Sequence, residues 1–142
     1  MGVQSLIVGK YGEPGTSYQS KYCELWEVQK DFNWFPAKRI LINKEFKEKL
    51  FAAFTNLQKV GVQGEIKTFD GCYNDRSVRG RNSQSLHAWA MAIDINAATE
   101  KLAQSSTNFS GQFIAIMKAA GLFWGGDWKG RKDSMHFGLF NG

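Results

Sequence analysis

The chain has 142 residues, of which 43% are apolar, 14% aromatic and 22% charged, with two prolines. This composition suits one globular domain whose core stands without disulfide or metal staples, and it excludes a disordered or low-complexity chain. The net charge of +5 fits an ordinary basic surface or a polyanionic partner, whether nucleic acid or an anionic cell-wall polymer; no apolar run could span a bilayer, and the stretch Met1–Val8 lacks the basic region and apolar length of a signal peptide.

Residues 1–40 read as irregular, with a turn at Tyr11–Gly15 and a short strand over Leu25–Val28. From Asn43 to Val60 the apolar residues Phe46, Leu50, Phe54 and Leu57 repeat at helical spacing, with Asn43 as N-cap and Gly61 as C-cap. Glu65–Phe69 alternates as a strand does, and a polar stretch follows from Asp70 to Ser85. Ala92–Asn96 alternates again, with Ile93 and Ile95 on one face and Asp94 and Asn96 on the other. A second helix is expected over Phe109–Ala120, with Phe109, Phe113, Ile116 and Ala120 facing inward, and a last strand over Met135–Phe140. Two helices among short strands make the fold class α+β, a small single domain with a mainly antiparallel sheet flanked by helices. Cys23 and Cys72 have no CxxC spacing, so two buried free thiols are expected.

The chemistry gathers around the only two histidines, His87 and His136. Asp94 projects from the polar face of its strand beside His87, and Asp133 stands three residues before His136. His136 is expected to face away from the core, opposite Met135 and Phe137. Three ligands, His87, Asp94 and His136, leave a fourth zinc position open, which is the pattern of a catalytic site. Asp133 is then left over as a general base. On spacing alone a structural, hydrogen-bonded histidine is an equally ordinary reading, and Asp94 could cap a turn.

The stretch Ser85–Asp94 resembles the S-x-H-x-x-G-x-A-x-D signature of the zinc D-alanyl-D-alanine carboxypeptidases and L-alanyl-D-glutamate endopeptidases, with Ser85, His87, Ala92 and Asp94 in register. Asp133-Ser134-Met135-His136 matches the second element of that family. Phe69–Gly80 is similar to the arginine-bearing segment of phage-type members, and Gly121–Trp128 to the segment before their last strand. One position departs from the signature: the family glycine is Ala90, and alanine there is tolerable if its φ is negative.

The resemblance implies a hedgehog-like peptidase fold with one zinc at the sheet edge, held by His87, Asp94 and His136. It also implies Asp133 as the proton-transfer residue and the peptidoglycan stem peptide as substrate. Arg76 is the first candidate for stabilising developing charge or gripping a substrate carboxylate, and Arg79 the second, since a guanidinium fork matches a carboxylate. Ser85 is expected to hydrogen-bond a ligand or the loop backbone, and Trp89, with Trp124 and Trp128, to line a groove or pack. Cys72 is read as packing. The best match is a phage endolysin, an L-alanyl-D-glutamate endopeptidase. It would be made in the host cytoplasm and act on the cell wall as a monomer, after holin release or from the virion, without a separate wall-binding domain. A D-alanyl-D-alanine carboxypeptidase or dipeptidase is the near alternative. A basic nucleic-acid-binding domain, with Arg76, Arg79, Arg81, Lys129, Arg131 and Lys132 on phosphates, is the distant one. It leaves the ordered histidine and carboxylate motifs without a role. A degenerate member that keeps zinc only as a binding module is disfavoured, because all three ligands and Asp133 are present.

Overall fold

The computed structural model describes residues 3–74 and 85–142. In chain order it runs α1 (Val3–Tyr11), α2 (Thr16–Tyr22), β1 (Cys23–Trp26), α3 (Val28–Asp31), β2 (Ile40–Asn43) and α4 (Lys44–Val60). Then follow β3 (Phe69–Gly71), β4 (Ala92–Ile95), α5 (Gly111–Ala119), β5 (Phe123–Trp124) and β6 (His136–Gly138). Tight single-turn helices lie at Gln63–Glu65, Leu86–Trp89 and Gly125–Asp127. The strands form two antiparallel sheets, β1-β2 and β3-β4-β6-β5. The fold is α+β, as the patterning implies.

Helix α4 is where local signals and burial agree best. Phe46, Leu50, Phe54 and Leu57 are fully buried, each contributing roughly 1.5–3 kcal/mol of transfer free energy. Asn43 Oδ1 accepts the Phe46 N–H at 2.9 Å, and Gly61 ends the helix in the left-handed region at φ 79°.

Elsewhere the elements differ from the patterning in ways that have local causes. Residues 3–40 carry three helices and a strand where an irregular segment is expected. α1 buries only Ile7 and Tyr11, and α2 only Tyr18, too few positions to register as a periodic stripe. The strand expected at Leu25–Val28 ends at Trp26, because Val28 begins α3. The strand expected at Glu65–Phe69 lies later, at Phe69–Gly71. The Asn96 side chain occupies the intervening backbone: its Oδ1 accepts from Lys67 N at 2.8 Å and Thr68 N at 3.1 Å, and its amide donates to the Glu65 carbonyl at 2.5 Å. A side chain thus stands in for a ladder partner.

Helix α5 begins after Ser110, whose Oγ accepts from Phe113 N at 3.1 Å. Phe113 and Met117 form its buried face, while Phe109 stacks on Phe113 from outside the helix, with centroids 4.6 Å apart. Ile116 and Ala120 are half-buried. The last strand is confined to His136–Gly138 and gains a partner in β5. No helix among the described residues is long and apolar enough to cross a membrane.

Candidate metal centre

Antiparallel register sets the first two functional side chains face to face: Asp94 on β4 pairs with His136 on β6. These are the two middle strands of the four-stranded sheet. His87 arrives from the tight turn Leu86–Trp89 that precedes β4. Ser85 caps this turn, its Oγ accepting from His87 N at 3.3 Å. The turn closes on Ala90, which stands in the left-handed region with φ 54° and ψ 37°. The condition under which alanine is freely tolerated, a negative φ, is therefore not met. Alanine adopts the backbone that glycine would take freely, at a cost of about 1–2 kcal/mol, held by Ala90 N–H to the His87 carbonyl and Met91 N–H to the Leu86 carbonyl.

The ligand atoms of His87, Asp94 and His136 all lie within 4.8 Å of one another. His87 Nε2 is 3.2 Å from Asp94 Oδ2, and His136 Nδ1 is 3.5 Å from Asp94 Oδ1. The other nitrogen of each ring faces a main-chain oxygen: His87 Nδ1 meets Cys72 O at 2.8 Å, and His136 Nε2 meets Gly142 O at 3.0 Å. Main-chain oxygens only accept, so each imidazole, when neutral, places its N–H there and turns a lone pair toward Asp94. Two lone pairs facing a carboxylate repel unless a cation stands between them. Asp94 Oδ1 is correspondingly buried without a hydrogen-bond partner, so the donor set fits a zinc ion.

The electrostatics agree. Burial pushes the Asp94 carboxyl up, but its interactions with His136 and His87 outweigh this and hold it below the usual carboxylate range. Burial lowers His87, yet Asp94 more than offsets the effect and its pKa is raised.

Asp133 sits beside this group with its Oδ1 also buried and unpartnered. Burial, then repulsion from Asp94, raises its carboxyl. Its backbone is clamped from both sides: Asp133 N donates to Gly125 O at 3.0 Å, and Asp133 O accepts from His136 N at 3.1 Å. A Cβ on Gly125 would collide with the Asp133 carbonyl, which explains a glycine there. Trp124 Nε1 donates to the Ser134 carbonyl at 2.8 Å, so the segment 124–128 holds the segment that carries Asp133.

Residues 79–139 match a family model described as D-alanyl-D-alanine carboxypeptidase. The matched span contains His87, Asp94, Asp133 and His136, and leaves Arg76 outside it. The match supports a zinc peptidase that acts on peptidoglycan.

The remaining expectations meet the structure unevenly. Trp89 is fully buried; its Nε1 donates to Gly12 O at 3.0 Å and its carbonyl accepts from Tyr18 Oη at 2.6 Å. It presents no surface to a substrate, so it is a core residue and not part of a groove. Arg76 and Arg79, with Arg81, lie outside the described residues. Trp124 is packed on Phe137 with ring planes 20° apart. Lys132 Nζ donates to the Gly126 and Trp128 carbonyls at 3.2 and 2.9 Å, so it is committed to its own loop. Cys72 is a buried free thiol, raised by burial, and its carbonyl is what touches the site.

His136 does not face solvent as the alternation implies. Its side chain is only 5% exposed, because Trp128 lies over the ring at 5.0 Å between centroids and residue 142 covers its edge. Sequence reasoning also misses Tyr18, which braces the turn bearing His87, and the two main-chain acceptors. A main-chain oxygen carries no residue-type signal.

Proposed function

We propose that this protein is a zinc metallopeptidase that hydrolyses a peptide bond of the peptidoglycan stem, most specifically as a phage endolysin of the L-alanyl-D-glutamate endopeptidase type. The observation that carries the reading is the convergence of His87, Asp94 and His136 with the buried, unpartnered carboxylate oxygens of Asp94 and Asp133. The endolysin assignment rests on the likeness of Phe69–Gly80 and Gly121–Trp128 to phage-type segments, and a net charge of +5 favours adsorption to an anionic wall.

A zinc ion bound by the triad supplies Lewis acidity for a water nucleophile and the scissile carbonyl. The chain's own residues do the rest. His87 and His136 are oriented by their main-chain partners, and Ser85 fixes the turn from which His87 projects. Asp133 takes a proton from the attacking water and returns it to the departing amine, so that water's OH ends on the carbonyl carbon and its hydrogen on nitrogen. Its raised carboxyl suits that shuttle better than an ordinary aspartate, whose conjugate base is weaker. Arg76 or Arg79 is assigned to the substrate carboxylate or to the charge that develops on the carbonyl oxygen.

The description of the matched family favours a second bond, the terminal D-Ala–D-Ala of the same stem. Digestion of purified muropeptides separates the two: a new D-Glu amino terminus marks the endopeptidase, and free D-alanine the carboxypeptidase. Asp133→Asn is expected to retain about one zinc per chain while losing roughly 10²–10⁴-fold in turnover. A wild-type chain that neither binds zinc nor cleaves muropeptides with zinc added overturns the proposal, and salt-sensitive binding to nucleic acid would then become the reading to pursue.

A further inference from the structure

Trp128 is only half-buried and belongs to a segment whose aromatic residues suggest a substrate groove, yet its contacts point inward. Its ring lies over His136 with the planes 50° apart, and its Nε1 donates to Asn141 Oδ1 at 3.1 Å. Asn141 precedes Gly142, whose main-chain O meets His136 Nε2. Gly142 N donates to Phe140 O at 3.0 Å, and its Cα lies against Val3 of α1, so that a Cβ there would be 3.5 Å from Val3 Cγ1. Trp128 is anchored in turn: its N–H donates to Gly125 O, which also receives the Asp133 N–H, and its carbonyl accepts from Lys132.

These contacts form a series. Trp128 holds Asn141, Asn141 places Gly142, and Gly142 O accepts the Nε2–H of His136. A neutral imidazole has one N–H, so fixing it on Nε2 leaves the Nδ1 lone pair aimed at Asp94. Without that acceptor the ring is free to hold its proton on Nδ1, the nitrogen the metal needs, or to turn. Outer hydrogen-bond partners of this kind change metal affinity by about 10–100-fold.

We propose that Trp128, Asn141 and the main-chain O of Gly142 form a clasp that sets the tautomer and orientation of His136 for metal binding, with Trp128 a positioning residue and not a wall of the substrate groove. The inference rests on the zinc reading above.

The test measures zinc affinity of the full chain by competition with a chromogenic chelator, together with the visible spectrum of the cobalt-substituted protein. Trp128→Phe keeps a ring and loses the N–H; Asn141→Ala, at an exposed position, removes the acceptor; Asn141→Asp retains one. The first two are each expected to weaken zinc binding by about tenfold or more and to shift the cobalt bands. Because the links act in series, the double variant should bind no worse than the weaker single one. Asn141→Asp should stay near wild type. Variants that bind zinc as tightly as a zinc-binding wild type overturn the clasp alone. Independent, multiplicative losses from Trp128→Phe and Asn141→Ala also overturn it, since they would mean separate structural effects. A wild-type chain that binds no zinc overturns the parent reading, and the clasp with it.

Discussion

Replacing Tyr18 by phenylalanine tests whether a residue far from the candidate metal ligands in sequence holds up the turn that carries His87. Tyr18 is 3% exposed. Its hydroxyl donates to the Trp89 carbonyl at 2.6 Å and accepts from Asn43 Nδ2 at 2.9 Å. Burial pushes the phenol well up, so it is a neutral donor throughout the working range of pH. Phenylalanine keeps the ring contacts with Tyr11 and Tyr22 and removes only the oxygen. Two buried polar groups are then stranded. The Trp89 carbonyl retains just a 4.0 Å contact from the Cys23 thiol, and the Asn43 amide loses the acceptor at its Nδ2. At about 1–3 kcal/mol for each stranded group, the loss should be about 2–6 kcal/mol in all. Urea denaturation of the zinc-free protein should show it as a lower midpoint with an unchanged slope. Asn43→Ala breaks one of the same bonds, so the double variant should lose less than the sum of the singles, with coupling of about 0.5–3 kcal/mol. A Tyr18→Phe protein within about 0.5 kcal/mol of wild type would refute the argument, because it would mean that water reaches both groups at no cost.

Gly125→Ala forces a methyl into the Asp133 carbonyl; a stability loss of about 1–3 kcal/mol is expected, with reduced muropeptide turnover at unchanged zinc content, and normal turnover would show that the clamp on Asp133 is unnecessary. Ala90→Gly relieves about 1–2 kcal/mol of left-handed strain but gives up about 0.8 kcal/mol of methyl burial and about 0.5–1 kcal/mol of chain entropy. The folded protein should therefore stay close to wild-type stability in calorimetry, unlike other truncations in its core. In protein stripped with chelator, the raised His87 contributes stability that is complete below its ordinary value of 6.5 and is lost as pH rises through the raised one. Stripped protein should thus be less stable at about pH 8.5 than at about pH 6, and the zinc-loaded protein should show the opposite trend, because metal and proton compete for the same nitrogen. Equal stability of the stripped form at both values would show that His87 holds no proton against Asp94.

Much of this molecule is decided within short stretches of chain. Helix α4 needs only its own apolar spacing, the Asn43 cap and Gly61, because period and caps act over a few residues. The pairing of each histidine with a nearby carboxylate is legible for the same reason: strand alternation around Ala92–Ile95 separates Asp94 from the apolar residues that enter the core. Other features are fixed only when distant segments meet. Nothing near Thr16–Tyr22 announces a helix, since its stability comes from Tyr18 reaching Trp89 and Asn43. For Trp89 the sequence leaves groove lining and packing both open, and the fold makes it core, with its indole N–H donating to the Gly12 carbonyl. Ala90 takes a glycine's backbone because the turn closed around it prescribes that conformation. The orientation of the two imidazoles, on which the proposed metal binding depends, is set by main-chain oxygens of Cys72 and Gly142. Every residue has a main-chain oxygen, so only the packing of the folded chain can select which ones these rings find.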